Sequence, residues 1–399
     1  MIKDLNLDTF PKDWKVLPFG DVCEISGGSQ PPKSTFIYEP KDGYIRLVQV
    51  RDYRTSKFIT YIPKEKAKKF CSKTDIMIGR YGPPIFGIFR GLEGAYNVAL
   101  MKAIPNRELL DYEYFYWFLK TDSLVKFVEK TSKRAAGQDG VRKEVLYTYP
   151  TPIPPLTQQK QIVAILDKAF AAIGTAKANA EQNLKNAKEL FESYLQNVFE
   201  NKGDDWEERK LDEVCTIISK LIDPKELQYQ ELIHIGAGNI ISEKGTLVDL
   251  KTAKEENLIS GKFLFDETMV LYSKIRPYLM KIVECDFKGL CSADIYPLSP
   301  FKDKVTQSFL FHLLSSSHFT EYAIAGSQRA GMPKVNRKHL FDYSFYCPSI
   351  HEQKQIVKKL NALSAETKKL EVIYRQKIAD LDELKKSILQ KAFSGQLSN

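Results

Sequence analysis

The feature that most constrains this chain is a sequence repeat at a displacement of 194 residues. Residues 159–163 read QKQIV, and residues 353–357 read QKQIV again. A chain written twice in this way predicts two copies of one structural unit. The same displacement relates further identical residues, namely Pro154, Leu166, Glu189, Leu190, Ser193, Leu195, Gln196 and Phe199, which recur as Pro348, Leu360, Glu383, Leu384, Ser387, Leu389, Gln390 and Phe393.

The parts of the chain that precede these two segments also resemble each other, but more weakly. Their displacements vary by a few residues, so small insertions separate the copies: Asp13-Trp14 is answered by Asp205-Trp206, Val22-Cys23 by Val214-Cys215, RAAG at 134–137 by RAG at 329–331, and Arg142-Lys143 by Arg337-Lys338. Globular units therefore alternate with long segments. We predict segments at 1–150, 151–202, 203–346 and 347–399.

The two long segments are predicted to be helices. From Gln158 to Glu200 there is no Pro, and apolar residues recur at spacings of three and four, which is the pattern of a helix with one narrow apolar stripe. The second copy follows Pro348, and Ser349 with Glu352 has the spacing of a capping box. A long helix with so narrow a stripe needs a partner helix to be stable.

Each long helix is the predicted partner of the other. The first stripe is rich in small residues and the second in large ones, which favours close packing. The intervening globular unit lets the chain return, so we expect an intramolecular antiparallel coiled coil. The alternative is two separate helices that each dock on their own domain. The predicted seam residues are Ile162, Leu166, Ala176, Ala180, Leu360, Leu370, Tyr374 and Leu381.

The two globular units are predicted to be mixed. Runs bounded by Gly and Pro indicate strands, and amphipathic patterns indicate helices. The fold class is therefore α+β, with two mixed α/β domains separated by two long helices. The predicted strands are 44–50, 76–79, 87–89, 269–272 and 295–298, and the predicted helices are 112–128 and 306–322.

Composition narrows the class of protein. The chain has 399 residues, of which 43% are hydrophobic and 27% charged, as is typical of globular domains, and no apolar run is long enough to span a membrane. The first residues contain no apolar signal segment, so secretion is not expected. The six Cys residues form no C-x-x-C pair and are interpreted as reduced core thiols. A formal net charge of +9 suits a nucleic-acid partner.

No catalytic or metal site is visible in the sequence. The string at 28–35 lacks the second Gly of a phosphate-binding loop, and its two prolines remove backbone donors. The string Tyr81-Gly82-Pro83-Pro84 has no side-chain amide or carboxylate before its prolines, so we interpret it as a turn. The five His residues show no metal-ligand spacing. We therefore predict a chain that is not an enzyme.

Basic, aromatic and amide residues are concentrated in predicted loops of both globular units. Arg and Lys suit guanine edges and phosphates, Asn and Gln can pair with adenine, and Gly allows a close backbone approach. The alternative for each loop is a solvated charged surface. The candidate DNA-binding residues are Arg51, Arg54, Arg80, Tyr81, Arg134, Gly137, Gln138, Arg142 and Lys143, then Lys274, Arg276, Gln328, Arg329, Gly331, Lys334, Asn336 and Arg337.

The chain resembles the specificity subunit of a type I restriction-modification system. The resemblance lies in two divergent domains that alternate with two near-identical helices, each opening with a Pro-rich stretch and Gln-Lys-Gln-Ile, and in the terminal LQKAFSGQL. It covers essentially the whole chain. Gln158 departs from the family pattern, in which a Glu such as Glu352 is common.

This resemblance implies a division of labour. Each globular unit would be a target-recognition domain that reads one half of a bipartite sequence in double-stranded DNA. The helices would set the spacing and dock two methyltransferase (modification) subunits, and restriction/motor subunits would join through the complex. S-adenosylmethionine, ATP and Mg are then expected on those partners, with no cofactor on this chain and a cytoplasmic location.

Three other functions stay open at this point. The first is a self-contained DNA methyltransferase or nuclease, which the missing motifs disfavour. The second is a coiled-coil scaffold that binds proteins and no DNA, for which binding would be indifferent to salt. The third is a specificity protein that serves a related restriction-modification system with fewer subunits.

Overall fold

The chain divides into two compact units in the computed structural model, which describes residues 10–82, 85–133, 139–218, 220–327 and 331–397. Unit 1 comprises Met1–Asn179 and Lys377–Asn399, and unit 2 comprises Ala180–Gln376. Each unit therefore contains one globular segment together with a part of each long helix. The four segment boundaries proposed from the sequence stay predictions.

Unit 1 contains strands and short helices before the first long helix begins. Its strands are β1 (Lys15–Pro18), β2 (Cys23–Gly27), β3 (Tyr44–Val48), β4 (Tyr61–Pro63), β5 (Phe70–Cys71), β6 (Ile76–Gly79), β7 (Ile88–Phe89), β8 (Gly94–Tyr96), β9 (Leu100–Pro105) and β10 (Pro150–Ile153). Its helices are α1 (Phe19–Val22), α2 (Tyr112–Phe118), α3 (Asp122–Ser132), α4 (Lys143–Leu146) and the start of α5 (Leu156–Glu200).

The described strands of unit 1 form two four-stranded sheets, ordered β2-β9-β6-β7 and β4-β3-β8-β5, and the pair β1-β10. The first sheet is antiparallel throughout, whereas β3 and β8 run parallel in the second. Side chains on one face of the first sheet share a hydrophobic core with side chains of α2 and α3. The core of this unit includes Ile25, Met101, Tyr114, Phe115 and Leu124.

Unit 2 contains a second set of strands and short helices. Its strands are β11 (Glu207–Lys210), β12 (Cys215–Ile217), β13 (Leu221–Ile222), β14 (Ile233–Ile235), β15 (Ile240–Ile241), β16 (Thr246–Leu247), β17 (Lys251–Thr252), β18 (Lys262–Phe265), β19 (Val270–Ser273), β20 (Ile282–Glu284), β21 (Gly289–Cys291), β22 (Ile295–Pro300) and β23 (Ser344–Cys347). Its helices are α6 (Gln307–Leu314), α7 (Ser317–Ala325), α8 (Arg337–Phe341) and most of α9 (Ile350–Phe393).

Unit 2 repeats the topology of unit 1. The sheet β12-β22-β19-β20 has the order of β2-β9-β6-β7, and the pair β11-β23 corresponds to β1-β10. The second sheet, β13-β18-β21-β14-β17, also contains one parallel pair, between β14 and β21. The hairpin β15-β16 is an addition. The predicted α+β class with two mixed domains is confirmed.

Two helices predicted as single elements are each divided, so those predictions are wrong. The pattern at 112–128 is α2 and α3, and the pattern at 306–322 is α6 and α7. At the breaks, Thr121 Oγ1 donates to the carbonyl of Phe118 at 2.8 Å and Ser316 Oγ donates to that of Leu313 at 2.7 Å. Such hydroxyls compete with the helical backbone. The apolar pattern continues across each break because both helices face one core. The predicted strands, by contrast, match β3, β6, β7, β19 and β22 to within two residues.

The predicted long helices are confirmed as α5 and α9, which span 45 and 44 residues. Neither is apolar enough to cross a membrane, and this holds for every helix among the described residues. The repeated QKQI motif begins inside the first turns of each helix. Its first residue, Gln159 or Gln353, is completely buried although it is polar.

These two glutamines anchor each long helix to the domain that precedes it. Gln159 Oε1 accepts from the backbone N–H of Asp111 at 2.7 Å, and its Nε2 donates to the carbonyls of Leu109 and Pro154 at 2.8 Å. Because Asp111 is the N-cap residue of α2, the amide fixes the beginning of that helix.

The second copy makes the same contacts. Gln353 Oε1 accepts from the N–H of Thr306 at 2.8 Å, and Thr306 is the N-cap residue of α6. Its Nε2 donates to the carbonyls of Lys304 and Pro348 at 2.9 Å. The repeat that the sequence shows is therefore the repeat of one buried polar anchor.

The preceding motif residue, Gln158 or Glu352, binds a tryptophan. Trp14 Nε1 donates to Gln158 Oε1 at 2.9 Å, and Trp206 Nε1 donates to Glu352 Oε1 at 3.0 Å. This explains why either residue serves here, since both offer a side-chain oxygen. It also corrects the predicted capping box, because Glu352 binds Trp206 while only Ser349 caps, accepting from the N–H of Glu352 at 3.3 Å.

Each unit also receives the end of the long helix that it does not begin. In unit 1, Phe393 of α9 packs against Tyr114 and Phe118, with ring centroids 4.9 Å and 5.8 Å apart. In unit 2, Phe199 of α5 packs edge-on against Phe309 at 5.4 Å. Each domain therefore holds the start of one long helix and the end of the other.

The two long helices pair in antiparallel fashion within unit 1. Lys177 Nζ lies 2.7 Å from Asp382 Oδ1, and the Lys385 ammonium lies 5.1 Å from the Phe170 ring centroid. A higher number in α5 meets a lower number in α9, which is the antiparallel order. The alternative of two separate helices is therefore wrong as a complete description, although each helix start does dock on its own domain.

The predicted seam residues differ in burial. Ile162, Leu166, Ala180 and Leu360 are buried, and Ile162 and Leu166 belong to the core of unit 1. Ala176, Tyr374 and Leu381 are half-buried. Leu370 is 37% exposed and is not a buried seam position.

All six cysteines are buried free thiols, which confirms the interpretation as core residues. Burial raises the pKa of Cys23 and of Cys215 to about 12. Such thiols stay protonated near neutral pH and are poor nucleophiles.

Gln159→Ala should lower the free energy of unfolding by about 1–3 kcal/mol, because it leaves the buried backbone groups that the amide binds without partners. Chemical denaturation monitored by tryptophan fluorescence measures this loss. Gln161→Ala is the matched control, since Gln161 is exposed in the same helical turn and should change stability by less than about 0.5 kcal/mol. Equal small losses for both variants would contradict the anchoring role.

Unit 2 contains two buried histidines, each with a polar side-chain partner. His312 Nε2 lies 3.0 Å from Asn361 Oδ1, and His234 Nδ1 lies 2.7 Å from Glu256 Oε2. Burial lowers the pKa of both imidazoles below the usual 6.5, and for His234 it outweighs the neighbouring carboxylate. Every His of the chain lies between His234 and His351, so unit 1 has none.

We expect unit 2 to lose stability as the pH falls below 6.5, because the unfolded imidazoles take up protons that the buried ones exclude. Above that pH neither state binds the proton, and the effect disappears. Hydrogen exchange at about pH 8 and about pH 5, corrected for intrinsic rates, should show protection falling more in unit 2 than in unit 1. His312→Asn should reduce the excess loss of protection in unit 2. An equal loss of protection in both units of the wild-type chain would refute the prediction.

Candidate nucleic-acid interface

The end of strand β6 brings together two loops of unit 1 that are distant in sequence. The N–H of Arg80 donates to the carbonyl of Ala99 at 2.8 Å, and the carbonyl of Arg80 accepts from the N–H of Val141 at 3.0 Å. Tyr81 forms an isolated bridge with Gly140. A Cβ at Gly140 would lie 2.7 Å from the Tyr81 ring, so glycine is required for this close approach.

We call the two backbone hydrogen bonds of Arg80, together with the bridge between Tyr81 and Gly140, the Arg80 frame. Beside this frame lies a cavity of about 230 Å³ with a strongly basic wall. Arg80, Arg142 and Lys143, which the sequence assigned to separate loops, all line it. We refer to it as the Arg80 cavity, and its walls are formed by Ile25, Gly27, Arg80, Met101, Val141, Arg142, Lys143 and Glu144. The structure therefore brings four of the predicted residues together. Arg80, Arg142 and Lys143 line the cavity, and Tyr81 lies next to it in the bridge with Gly140.

Two of the cationic side chains of the cavity lie over aromatic rings. The Arg80 guanidinium carbon lies 5.1 Å from the Tyr81 ring centroid, and Lys143 Nζ lies 5.1 Å from that of Tyr147. Arg80 Nε is buried and has no hydrogen-bond partner among the described residues. A buried donor of this kind costs free energy until an acceptor reaches it.

Arg51 and Arg54 belong to a separate cluster after strand β3. Arg51 donates through Nη2 to Thr60 Oγ1 and to the carbonyl of Phe58, both at 3.2 Å. The buried carboxylate of Asp52 lies 3.4 Å from Arg46 and 3.9 Å from Arg51, and its burial raises its pKa despite both cations. Arg54 is exposed just beyond it. The Arg51 guanidinium is therefore partly engaged in hydrogen bonds to residues of the same loop.

Unit 2 repeats the Arg80 frame around Lys274. The N–H of Lys274 donates to the carbonyl of Asp294 at 3.0 Å, and its carbonyl accepts from the N–H of Val335 at 2.8 Å. Ile275 forms an isolated bridge with Lys334, as Tyr81 does with Gly140. Lys274 and Lys334, which the sequence places in two different loops, therefore lie together.

The side chains on this second frame differ from those of the first. Lys334 Nζ lies 3.2 Å and Lys274 Nζ 3.9 Å from the same oxygen, Asp294 Oδ1. Lys274 and Arg337 both lie over the Tyr296 ring, at 5.0 Å and 5.9 Å from its centroid. Burial and the neighbouring Lys334 ammonium lower the pKa of Lys274. Asp294 offsets the repulsion between the two lysines.

The remaining predicted residues of unit 2 have distinct positions. Asn336 is the N-cap of α8, and its Oδ1 accepts from the N–H of His339 at 2.9 Å. The oxygen that adenine pairing requires is therefore engaged in the cap. Arg276 is exposed with a left-handed φ of 50°, and Gly331 has a φ of 112°, which favours glycine.

Five predicted residues lie outside the described residues: Arg134, Gly137, Gln138, Gln328 and Arg329. Their assignment to DNA binding stays a prediction.

The structural register corrects one sequence match. Because Val141 and Val335 make the same hydrogen bond, Arg142 corresponds to Asn336 and Lys143 to Arg337. The predicted pairing of Arg142-Lys143 with Arg337-Lys338 is wrong by one residue. Sequence reasoning also missed Asp294 and Tyr296. The displacement of 194 residues leads from Arg80 to Lys274, and the strand pairing beside Lys274 then leads to Asp294 and Tyr296.

Two domains that share this frame, each joined to a repeated long helix, define a class of protein. The family described as type I restriction modification DNA specificity domain matches residues 11–186 and again residues 203–377. The chain belongs to this family of type I restriction-modification specificity subunits.

Two relatives match over most of their own length. The EcoDI specificity subunit of Escherichia coli is 26% identical over 423 residues, which cover 97% of this chain and 89% of that protein. The MjaVIII specificity subunit of Methanocaldococcus jannaschii is 24% identical over 433 residues, which cover 97% and 93%.

Two solved structures share the fold. The HsdS subunit from Thermoanaerobacter tengcongensis superposes with a TM-score of 0.62 at 19% identity, covering 97% of this chain and 98% of that one. A chain from a study of complex assembly and conformational transition of the type I R-M system reaches a TM-score of 0.77 at 18% identity, covering 97% and 99%.

Proposed function

We propose that this chain selects the DNA sequence on which a type I restriction-modification complex acts, and that each unit reads one half of a bipartite target. One observation carries this proposal. The same strand-end hydrogen-bond frame recurs in both units, at Arg80 and at Lys274, with different side chains mounted on it. A common frame would present both clusters to DNA in the same way, while different side chains suit different bases.

Some basic residues would bind phosphates and others would contact base edges, and both would contribute to binding. Cations on loops bind phosphates and give affinity, whereas base edges in the groove give specificity. The predicted loop residues Tyr81, Arg276 and Gly331 lie beside these clusters along the chain. We keep Arg51 and Arg54 as further candidate DNA contacts of unit 1, and double-stranded DNA as the ligand.

The long helices are the proposed docking surface for two methyltransferase subunits. Both helices expose large apolar side chains, which suit a protein partner. Two similar helices also suit two copies of one partner. The exposed residues are Leu156, Ile165 and Leu190 on α5, and Leu370, Val372, Ile373 and Leu384 on α9.

Catalysis then belongs to the partner subunits. We propose that S-adenosylmethionine, ATP and Mg bind there, that restriction/motor subunits join through the complex, and that this chain is not itself an enzyme. Among the described residues no group of three His, Cys, Asp or Glu is arranged to hold a metal. Because the proposed ligand is chromosomal DNA, we place the complex in the cytoplasm.

Mapping methylated adenines across the source genome, with this gene intact and deleted, tests the proposal. Loss of one bipartite motif on deletion is the expected result and supplies the bases that are read. Motifs unchanged by deletion, while the methyltransferase subunits are present and active, would leave a scaffold that binds no DNA as the better description. Methyl transfer by the purified chain alone would favour a self-contained enzyme.

Arg142→Ala should weaken use of the first half-site and Lys334→Ala use of the second, each by about tenfold or more, because each side chain belongs to one unit only. The measurement is the methylated fraction of a plasmid library in which one half-site at a time is degenerate. Arg107→Gln is the matched control, since Arg107 is exposed and lies over Tyr112 outside the Arg80 cavity. An effect of either variant on both half-sites would show that the units do not read independently.

A further inference from the structure

The Arg80 cavity carries positive charge that its own walls do not neutralise. Arg80, Arg142 and Lys143 line it with a single carboxylate, Glu144. Arg80 Nε is buried and has no acceptor in the described part of the chain. The Tyr81 ring supports the Arg80 guanidinium from one side. The cavity is therefore organised for an anion that reaches Arg80.

The equivalent place in unit 2 is already filled. Met101 pairs with Ile78 across the sheet of unit 1, and Tyr296 pairs with Tyr272 at the same register of unit 2. The Tyr296 hydroxyl donates to the carbonyl of Val335 at 3.1 Å. A larger ring therefore occupies the position that Met101 leaves open as a wall of the cavity.

The charge differs in the same way. In unit 1 the carbonyl of Ala99 accepts the hydrogen bond from the N–H of Arg80. In unit 2 Asp294 occupies the equivalent position, because its carbonyl accepts from the N–H of Lys274. Asp294 places a carboxylate beside Lys274 and Lys334. Unit 2 thus supplies its own anion where unit 1 has only a methyl group.

We propose that the Arg80 cavity holds one phosphate group of the DNA backbone, and that unit 2 makes no such contact because Asp294 and Tyr296 stand in its place. This inference rests on the proposed function and assigns Arg80 to positioning rather than to base reading. Unit 1 then grips the backbone at a fixed point. Unit 2 depends on the open basic surface around Lys334.

A phosphate fits this cavity better than a base edge does. Guanidinium and phosphate form bidentate, charge-assisted pairs, and a shift of the Arg80 side chain towards the cavity would let such a pair include the Nε that now has no acceptor among the described residues. Lys143 adds charge for the remaining oxygens. A neutral base edge bound by Arg80 would leave the Lys143 ammonium without a counter-charge.

Phosphate and base contacts are distinguished by how a substitution acts. Losing a phosphate contact weakens binding to all sequences alike and reduces the slope of log K against log salt by ~0.9. Losing a base contact relaxes specificity at one position and leaves that slope nearly unchanged. The two assignments for Arg80 therefore give opposite outcomes.

The test uses the full chain, assembled with its modification subunits, and measures binding to a duplex that carries the methylated motif over a range of salt concentrations. Arg80→Gln should reduce the slope by ~0.9 with no change in the bases methylated. Ala99→Asp, which introduces the carboxylate found in unit 2, should act in the same direction while Arg80 remains. Arg107→Gln removes one exposed charge of unit 1 outside the cavity and should leave the slope unchanged.

Inorganic phosphate alone provides the second arm. It should raise the melting temperature of the wild-type chain and not that of Arg80→Gln, because the cavity accepts the anion without DNA. If phosphate stabilises the chain through Arg80 while the DNA slope is the same in both proteins, the cavity serves a free phosphate ligand and the inference is overturned.

Two further results are decisive. A changed base preference in Arg80→Gln, with an unchanged slope, overturns the phosphate assignment while supporting DNA reading by unit 1. If the wild-type complex binds DNA without any salt dependence, the proposed function fails, whatever the variants do. Failure of the inference and failure of the proposed function are therefore separate outcomes.

Discussion

The architecture of both units depends on one buried polar contact, the amide of Gln159 or Gln353. Each amide satisfies the N-cap of a domain helix and two nearby carbonyls, so the start of a long helix is fixed to the domain before it. A buried amide is stabilising only when its hydrogen bonds are complete, and this restricts the geometry strongly. The contact gives each long helix a defined direction of departure, which apolar packing alone specifies less well.

On that base, the chain uses one frame twice and varies what it carries. The hydrogen bonds around Arg80 and Lys274 are the same, and they come from backbone groups, so they tolerate side-chain change. Unit 1 has an open basic cavity, whereas unit 2 has lysines tied by Asp294 above Tyr296. Two domains that read different half-sites need a shared backbone frame that carries different side chains, and the two units have this arrangement.

Sequence reasoning succeeded where structure is local or repeated. The helices α5 and α9 follow from apolar periodicity, and β6 follows from an apolar run bounded by turns. It failed where a polar side chain interrupts a continuing pattern, as at Thr121 and Ser316, because periodicity reports which face is buried and not whether the backbone is continuous. Periodicity likewise places Leu370 on the apolar stripe of α9 without showing that its side chain is 37% exposed.

The sequence by itself determined the order of two domains and two paired helices, because a repeat and its periodicity are properties of the linear chain. The tertiary structure decided which basic residues act together. Arg80 and Arg142 are joined only by the register of β6 beside the loop at 139–142, and Asp294 reaches Lys334 only through the equivalent register of β19. Strand register brings together residues that are distant in the chain, so no local sequence pattern predicts these contacts.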